Sequence, residues 1–137
     1  MRKNYSDKGN RHWLAFANAT RCKHYESLKV AGFISWKKER NNFKIGDVVY
    51  LFSSKERRII FKTRVVCEEM RADGDFWIEV PPMHMTWRLE AVQEYMGDNL
   101  NEDKLMQYGF KGGRSIQHPM CNNPELFSYI EARFSEL

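Results

Sequence analysis

The chain has 137 residues, of which 42% are hydrophobic, 29% charged and 14% aromatic, the composition of one folded domain rather than of a disordered or fibrous protein. It contains no run of about 18 apolar residues to cross a bilayer, and its start, MRKNYSDKGNRH, lacks the apolar stretch of a signal peptide; a cytoplasmic protein with no membrane partner is expected. The net charge of +4 hides a division, because residues 1–64 hold 16 Lys and Arg against 5 Asp and Glu, while residues 65–137 hold 6 against 13. A polyanion suits the first half, each phosphate contact adding affinity by counterion release; a merely solvated basic face is the alternative.

Residues 1–10 are polar and read as a disordered tail, so a single domain is expected over 11–137. His12–Asn18 (HWLAFAN) is short, aromatic and apolar, the pattern of a buried strand, and 18–20 offer a cap for a helix through RCKHYESLKVAG that Gly32 ends. Phe33–Trp36 is apolar, KKERNNFK is a charged connection, and Gly46-Asp47 makes a turn.

DVVYLFS (47–53) and IIFKTRVVC (59–67) are dense in β-branched and aromatic residues and form a hairpin about SSKERR. Apolar side chains at both parities of the first strand predict cover on both faces, hence a central position. RADGD reads as a turn, FWIEV (76–80) as a strand stopped by Pro81-Pro82, and WRLEAVQEY (87–95) as a strand with Trp87, Leu89 and Ala91 on one face. Asn101 caps a short helix with Leu105 and Met106 inward and Gly109 ending it, 112–114 is a loop, and Asn123-Pro124 opens a last helix that turns Leu126, Phe127, Ile130 and Phe134 to one side.

Catalytic signals are missing. There is no GxxxxGK[ST] or GxGxxG loop, no HExxH, and Cys22, Cys67 and Cys121 form neither a disulfide framework nor a zinc pattern. His84 reads as a loop residue, Glu68 and Glu69 point to opposite faces, and nothing activates Cys67. No enzyme, metal or cofactor is expected. The positive signal is aromatic residues among cations: Trp13, Trp36, Trp77 and Trp87 with Lys37, Lys38, Arg40, Arg57 and Arg58. Rings stack bases and cations hold the backbone. Trp13 and Trp77 are expected in the core, and Trp36, beside the basic connection, is a candidate accessible ring.

In order, a Trp in the first strand, a helix, Trp36, KIGDVVYLFSS, RRIIFKTRVV, WRLEAVQEY, NLNEDKLMQYGFKGGRSIQHP and a closing helix with LFSYI resemble the EVE domain of the PUA-like superfamily, over about residues 12–134. The variety attached to, or encoded with, bacterial modification-dependent restriction nucleases looks most similar. The resemblance implies an α+β fold, a PUA-like small mixed β-barrel of about five or six strands flanked by helices. It also implies a pocket for a modified base, 5-methylcytosine or 5-hydroxymethylcytosine in DNA, flipped out of the duplex in restriction or phage defence. Carried over, the pocket takes Asn18, Trp36, Ser53, Ser54, Trp87, Ser115 and Gln117, while Lys37, Lys38, Arg40, Arg57, Arg58 and Arg114 meet phosphates. For Ser53 and Ser54 the alternative is a turn that satisfies its own hydroxyls, and for Gln117 a loop residue bonded to its own backbone. Modified DNA with a nuclease partner is the leading expectation; an RNA-binding PUA-like module for tRNA or modified RNA, or an ASCH-like nucleoside hydrolase, are the alternatives.

Overall fold

The structure is a computed structural model that describes residues 11–38, 41–81, 83–110 and 123–136, with the backbone of 117–119. In chain order the elements are β1 (His12–Ala17), α1 (His24–Glu26, continued by a π-helical turn over Ser27–Ala31), β2 (Phe33–Lys37), β3 (Val48–Ser53), β4 (Arg58–Met70), β5 (Met85–Glu94), α2 (Glu102–Met106), β6 (Gln117–Pro119) and α3 (Pro124–Ser135). The strands lie side by side as β2-β5-β4-β3-β1-β6. All neighbours are antiparallel except β1 and β3, which run parallel from His12↔Val48 to Ala17↔Ser53.

Period-two alternation sorts the side chains of β1 and β3 onto two apolar clusters. Trp13, Ala15, Ala17, Val49 and Leu51 join Ile34, Trp36, Val65, Trp87 and Leu89. Because β1 and β2 lie far apart in the strand order yet share this cluster, the sheet is curled around it as a half-barrel. Leu14, Val48, Tyr50 and Phe52 face the other way and pack with Leu105 of α2 and Leu126, Ile130 and Phe134 of α3. All six residues of β3 are buried, as its two-faced apolar pattern requires.

The long strand β4 provides the curl. Its register shifts against β3 between Leu51 and Phe52, and against β5 at Lys62/Thr63 and Val65/Cys67. Such bulges add local twist and bend a sheet toward closure. The first one also lets Ile59 face the helices while Ile60 and Phe61 both face the inner cluster.

Buried ionic groups lock two corners. Asp47 is fully buried and accepts from the indole Nε1 of Trp13 at 2.9 Å, from Arg11 N at 3.0 Å and from Lys44 N at 2.9 Å. The Gly46-Asp47 corner, with Gly46 at φ 98°, therefore ties the start of β1 to the start of β3. At the β2 edge, Asp73 accepts from Ser35 N at 3.1 Å, while Arg71 donates to Ser35 O at 3.3 Å and to Asp73 at 3.1 Å. Two side chains thus bond the strand edge as a neighbouring backbone would, covering groups that invite edge-to-edge association.

Several expectations differ from the structure. FWIEV is not a strand: Gly74–Phe76 is a 3-10 turn and Trp77 makes a single bridge to Cys22. The Trp77 indole is drawn to Asp73 at 3.1 Å and lies under Arg71, which pulls the segment off the sheet in spite of its β-rich composition. Phe33–Lys37 is the strand that takes its place in the sheet, paired with β5. α1 starts three residues later than the pattern implies, because Arg21 O accepts from Ile78 N and Lys23 N donates to Phe76 O. Met106 is 53% exposed rather than inward. Both later caps are present, Asn101 accepting from Lys104 N and Asn123 from Leu126 N, with Pro124 opening α3.

Candidate binding cleft

The parallel strands β1 and β3 end together, at Ala17 and Ser53, and the chain turns sharply after each. After β1, Asn18 accepts from Thr20 N at 3.0 Å and Thr20 Oγ1 at 2.7 Å, a local turn. After β3, Ser53 donates to Glu56 and accepts from the N–H groups of Lys55 and Glu56 at 3.3 and 3.4 Å. Ser54 joins the two turns, its N–H donating to Ala17 O at 3.0 Å and its hydroxyl accepting from Ala19 N at 2.8 Å. Arg57 closes the hairpin at φ 54°, in the left-handed region, and Glu102 holds its guanidinium at two points.

Beside this junction lies a cleft of about 160 Å³, lined by Ala19, Cys22–Glu26, Ser53, Lys55, Glu56 and Ile78. A cleft of that volume has room for several waters. His24 leans on Trp36, with ring centroids 5.8 Å apart, and Tyr25 donates to Glu94 at 2.7 Å. Burial drives the His24 imidazole down to about 4, so the ring is neutral at physiological pH. Burial, helped by the charge of Asp73, pushes the Cys22 thiol up to about 12, which makes it a poor nucleophile. Among the described residues, Arg21, Lys23 and Lys55 are exposed and make no ion pair, and no three His, Cys, Asp or Glu side chains gather as a metal site.

The structure brings Asn18, Ser53 and Ser54 together at this junction, although Ser53 and Ser54 spend their hydrogen bonds on holding it. Trp36 and Trp87 face each other across β2 and β5, but both are buried, 8% and 9% exposed, so Trp36 does not present the accessible ring expected of it. The Trp87 indole donates to Asn41 O at 3.1 Å and its ring lies beneath Lys38 at 4.9 Å. Of the four expected phosphate-binding cations among the described residues, three are committed elsewhere. Lys38 pairs with Glu68, Arg57 with Glu102, and Arg58 donates to Tyr95 O at 3.0 Å; Lys37 is exposed and makes no ion pair among the described residues. Arg40, Arg114 and Ser115 lie outside the described residues, as does the side chain of Gln117, whose backbone pairs with Ala15.

His24, Lys23 and Lys55 carry no signal in the linear sequence. KHYE passes for ordinary helix and SSKE for ordinary turn, and neither has a diagnostic spacing. Only the parallel pairing of β1 with β3 puts them at one opening. No helix among the described residues is long and apolar enough to cross a membrane. No protein-family model, curated protein or solved structure matches the chain.

Proposed function

We propose that the half-barrel is an EVE-like, PUA-like nucleic-acid-binding module, without catalysis, that holds a modified base in the cleft at the ends of β1 and β3. The observation that carries this reading is convergence: two strand-end turns, a neutral histidine set against an indole, and Lys23 and Lys55, which make no ion pair among the described residues, meet at one opening. The arrangement suits a flipped pyrimidine. His24 and Tyr25 give aromatic surface, Glu26 and Glu56 give acceptors of the kind that pair with the exocyclic amine of cytosine, and the cations meet flanking phosphates. Ile78 and Cys22 offer apolar contact to a 5-methyl or hydroxymethyl group. Modified DNA, handed to a nuclease partner in restriction, is the substrate proposed.

The test is binding of matched duplexes carrying cytosine, 5-methylcytosine or 5-hydroxymethylcytosine at one salt concentration, with an RNA of the same sequence as competitor. Preference for a modified duplex supports the reading; equal affinity for all three overturns it, and tighter RNA binding replaces DNA by RNA as the substrate.

A further inference from the structure

At the end of the β1–β3 pair opposite the cleft, positive charge gathers on one fixed turn. The two oxygens of the buried Asp47 carboxylate accept from the backbone N–H groups of Arg11 and Lys44, at 3.0 and 2.9 Å, so two cationic residues far apart in sequence stand side by side. Arg64 donates from its guanidinium to Gly46 O at 2.9 Å, which brings a third cation to the same turn. Backbone bonds hold the turn in place: Val48 N donates to Arg11 O at 3.0 Å, Gly46 N to Val65 O at 2.7 Å and Val65 N to Asp47 O at 2.9 Å. Arg11 and Lys44 are exposed and make no ion pair among the described residues. Three cationic residues thus surround one buried carboxylate, on backbone that needs no ordering when an anion binds.

We propose that this turn is a second phosphate-binding contact, which anchors the backbone of a nucleic acid whose base occupies the cleft at the other end of the two strands. The proposal rests on the reading of the chain as a nucleic-acid-binding module. The five residue steps from His12 to Ala17 span about 17 Å at ~3.3 Å each. One strand of nucleic acid carries a phosphate about every 3.4 Å, so the two contacts lie about five phosphates apart. Contacts to phosphate position a nucleic acid and add affinity without reading its bases. The turn therefore sets footprint and salt dependence, while base preference belongs to the cleft.

The experiment uses the full chain and duplexes of about 20 base pairs, long enough to span both contacts, with either 5-methylcytosine or cytosine at one central position. The Arg11→Gln/Lys44→Gln variant removes two side-chain charges and keeps both backbone N–H groups on Asp47, and a thermal melt checks that it folds. Its Kd for the 5-methylcytosine duplex should rise by about fivefold or more near 0.1 M salt, and the slope of log K against log salt should fall by about 1–2. The ratio of affinities for the two duplexes should stay within about twofold of wild type. The single variants Arg11→Gln and Lys44→Gln, each lowering the slope by up to about 0.9, carry the test if the double variant does not fold. Wild-type slope and Kd in the variants overturn the second contact and leave the cleft reading standing. Equal affinity of the wild-type chain for both duplexes overturns the base pocket, and a lowered slope in the variants then still supports the contact at the turn. A wild-type chain that binds neither duplex overturns both.

Discussion

The indole of Trp13 donates to the buried carboxylate of Asp47 at 2.9 Å, across 34 residues of sequence. Asp47 also accepts from Arg11 N and Lys44 N, so one side chain joins the start of β1 to the turn before β3. The parallel pairing of those two strands, and with it the cleft at their far ends, depends on this corner.

Asp47→Ala should therefore destabilise the fold by about 3 kcal/mol or more, because several buried donors lose their acceptor together. Trp13→Phe removes one donor and should cost less from this interaction. Urea unfolding of both single variants and the double variant should reveal positive coupling, with the double variant less destabilised than the sum of the singles.

Asp73→Ala should cost about 3–5 kcal/mol, since it leaves Arg71 charged and buried and removes the acceptor of Ser35 N. Replacing both members, as Arg71→Met/Asp73→Asn, should recover part of that loss. Light scattering should find Asp73→Ala more prone to self-association than wild type, because the edge of β2 is uncovered.

His24 makes stability depend on acidity. The unfolded imidazole takes a proton near 6.5 and the folded one only near 4, because burial opposes the charge. Between these values the unfolded chain binds more protons, so the contribution is complete above about pH 6.5 and is lost as pH falls toward 4, by up to about 3 kcal/mol. His24→Asn should flatten that part of the profile, read as the difference between wild-type and variant unfolding free energies from pH 7 to 4.

Cations at the cleft and cations in ion pairs should behave differently in binding. Arg21→Ala/Lys23→Ala/Lys55→Ala should reduce the slope of log K against log salt by up to about 0.9 for each phosphate that is no longer neutralised, so by about 3 in all. Arg57→Ala gives up the pair with Glu102 and should lower the unfolding midpoint while leaving the salt slope unchanged. Trp36→Ala empties a buried site, so about 3–5 kcal/mol of destabilisation should accompany any change in base preference.

Much of the fold was legible from local pattern. The two-faced apolar run of β3, the hairpin around 54–57, the alternation of Trp87, Leu89 and Ala91, and the Asn-Pro cap of α3 each follow from neighbours in sequence, where period and turn chemistry act directly. Composition likewise separated a basic half from an acidic one. Pairing across distance was beyond that reach. FWIEV has strand composition, yet Asp73 and Arg71 claim Trp77 and the segment leaves the sheet, while the short run at Phe33 becomes a strand because β5 is there to pair with it. The same limit applies to the cleft. Arg57, Arg58 and Lys38 are ordinary basic residues until the fold supplies Glu102, Tyr95 O and Glu68 as partners, and Trp36 is an available ring until the sheet curls over it. Local sequence sets what each segment prefers; which cation stays free and which ring stays open is decided by long-range contacts, since burial and charge pairing belong to the assembled surface and not to any one stretch of chain.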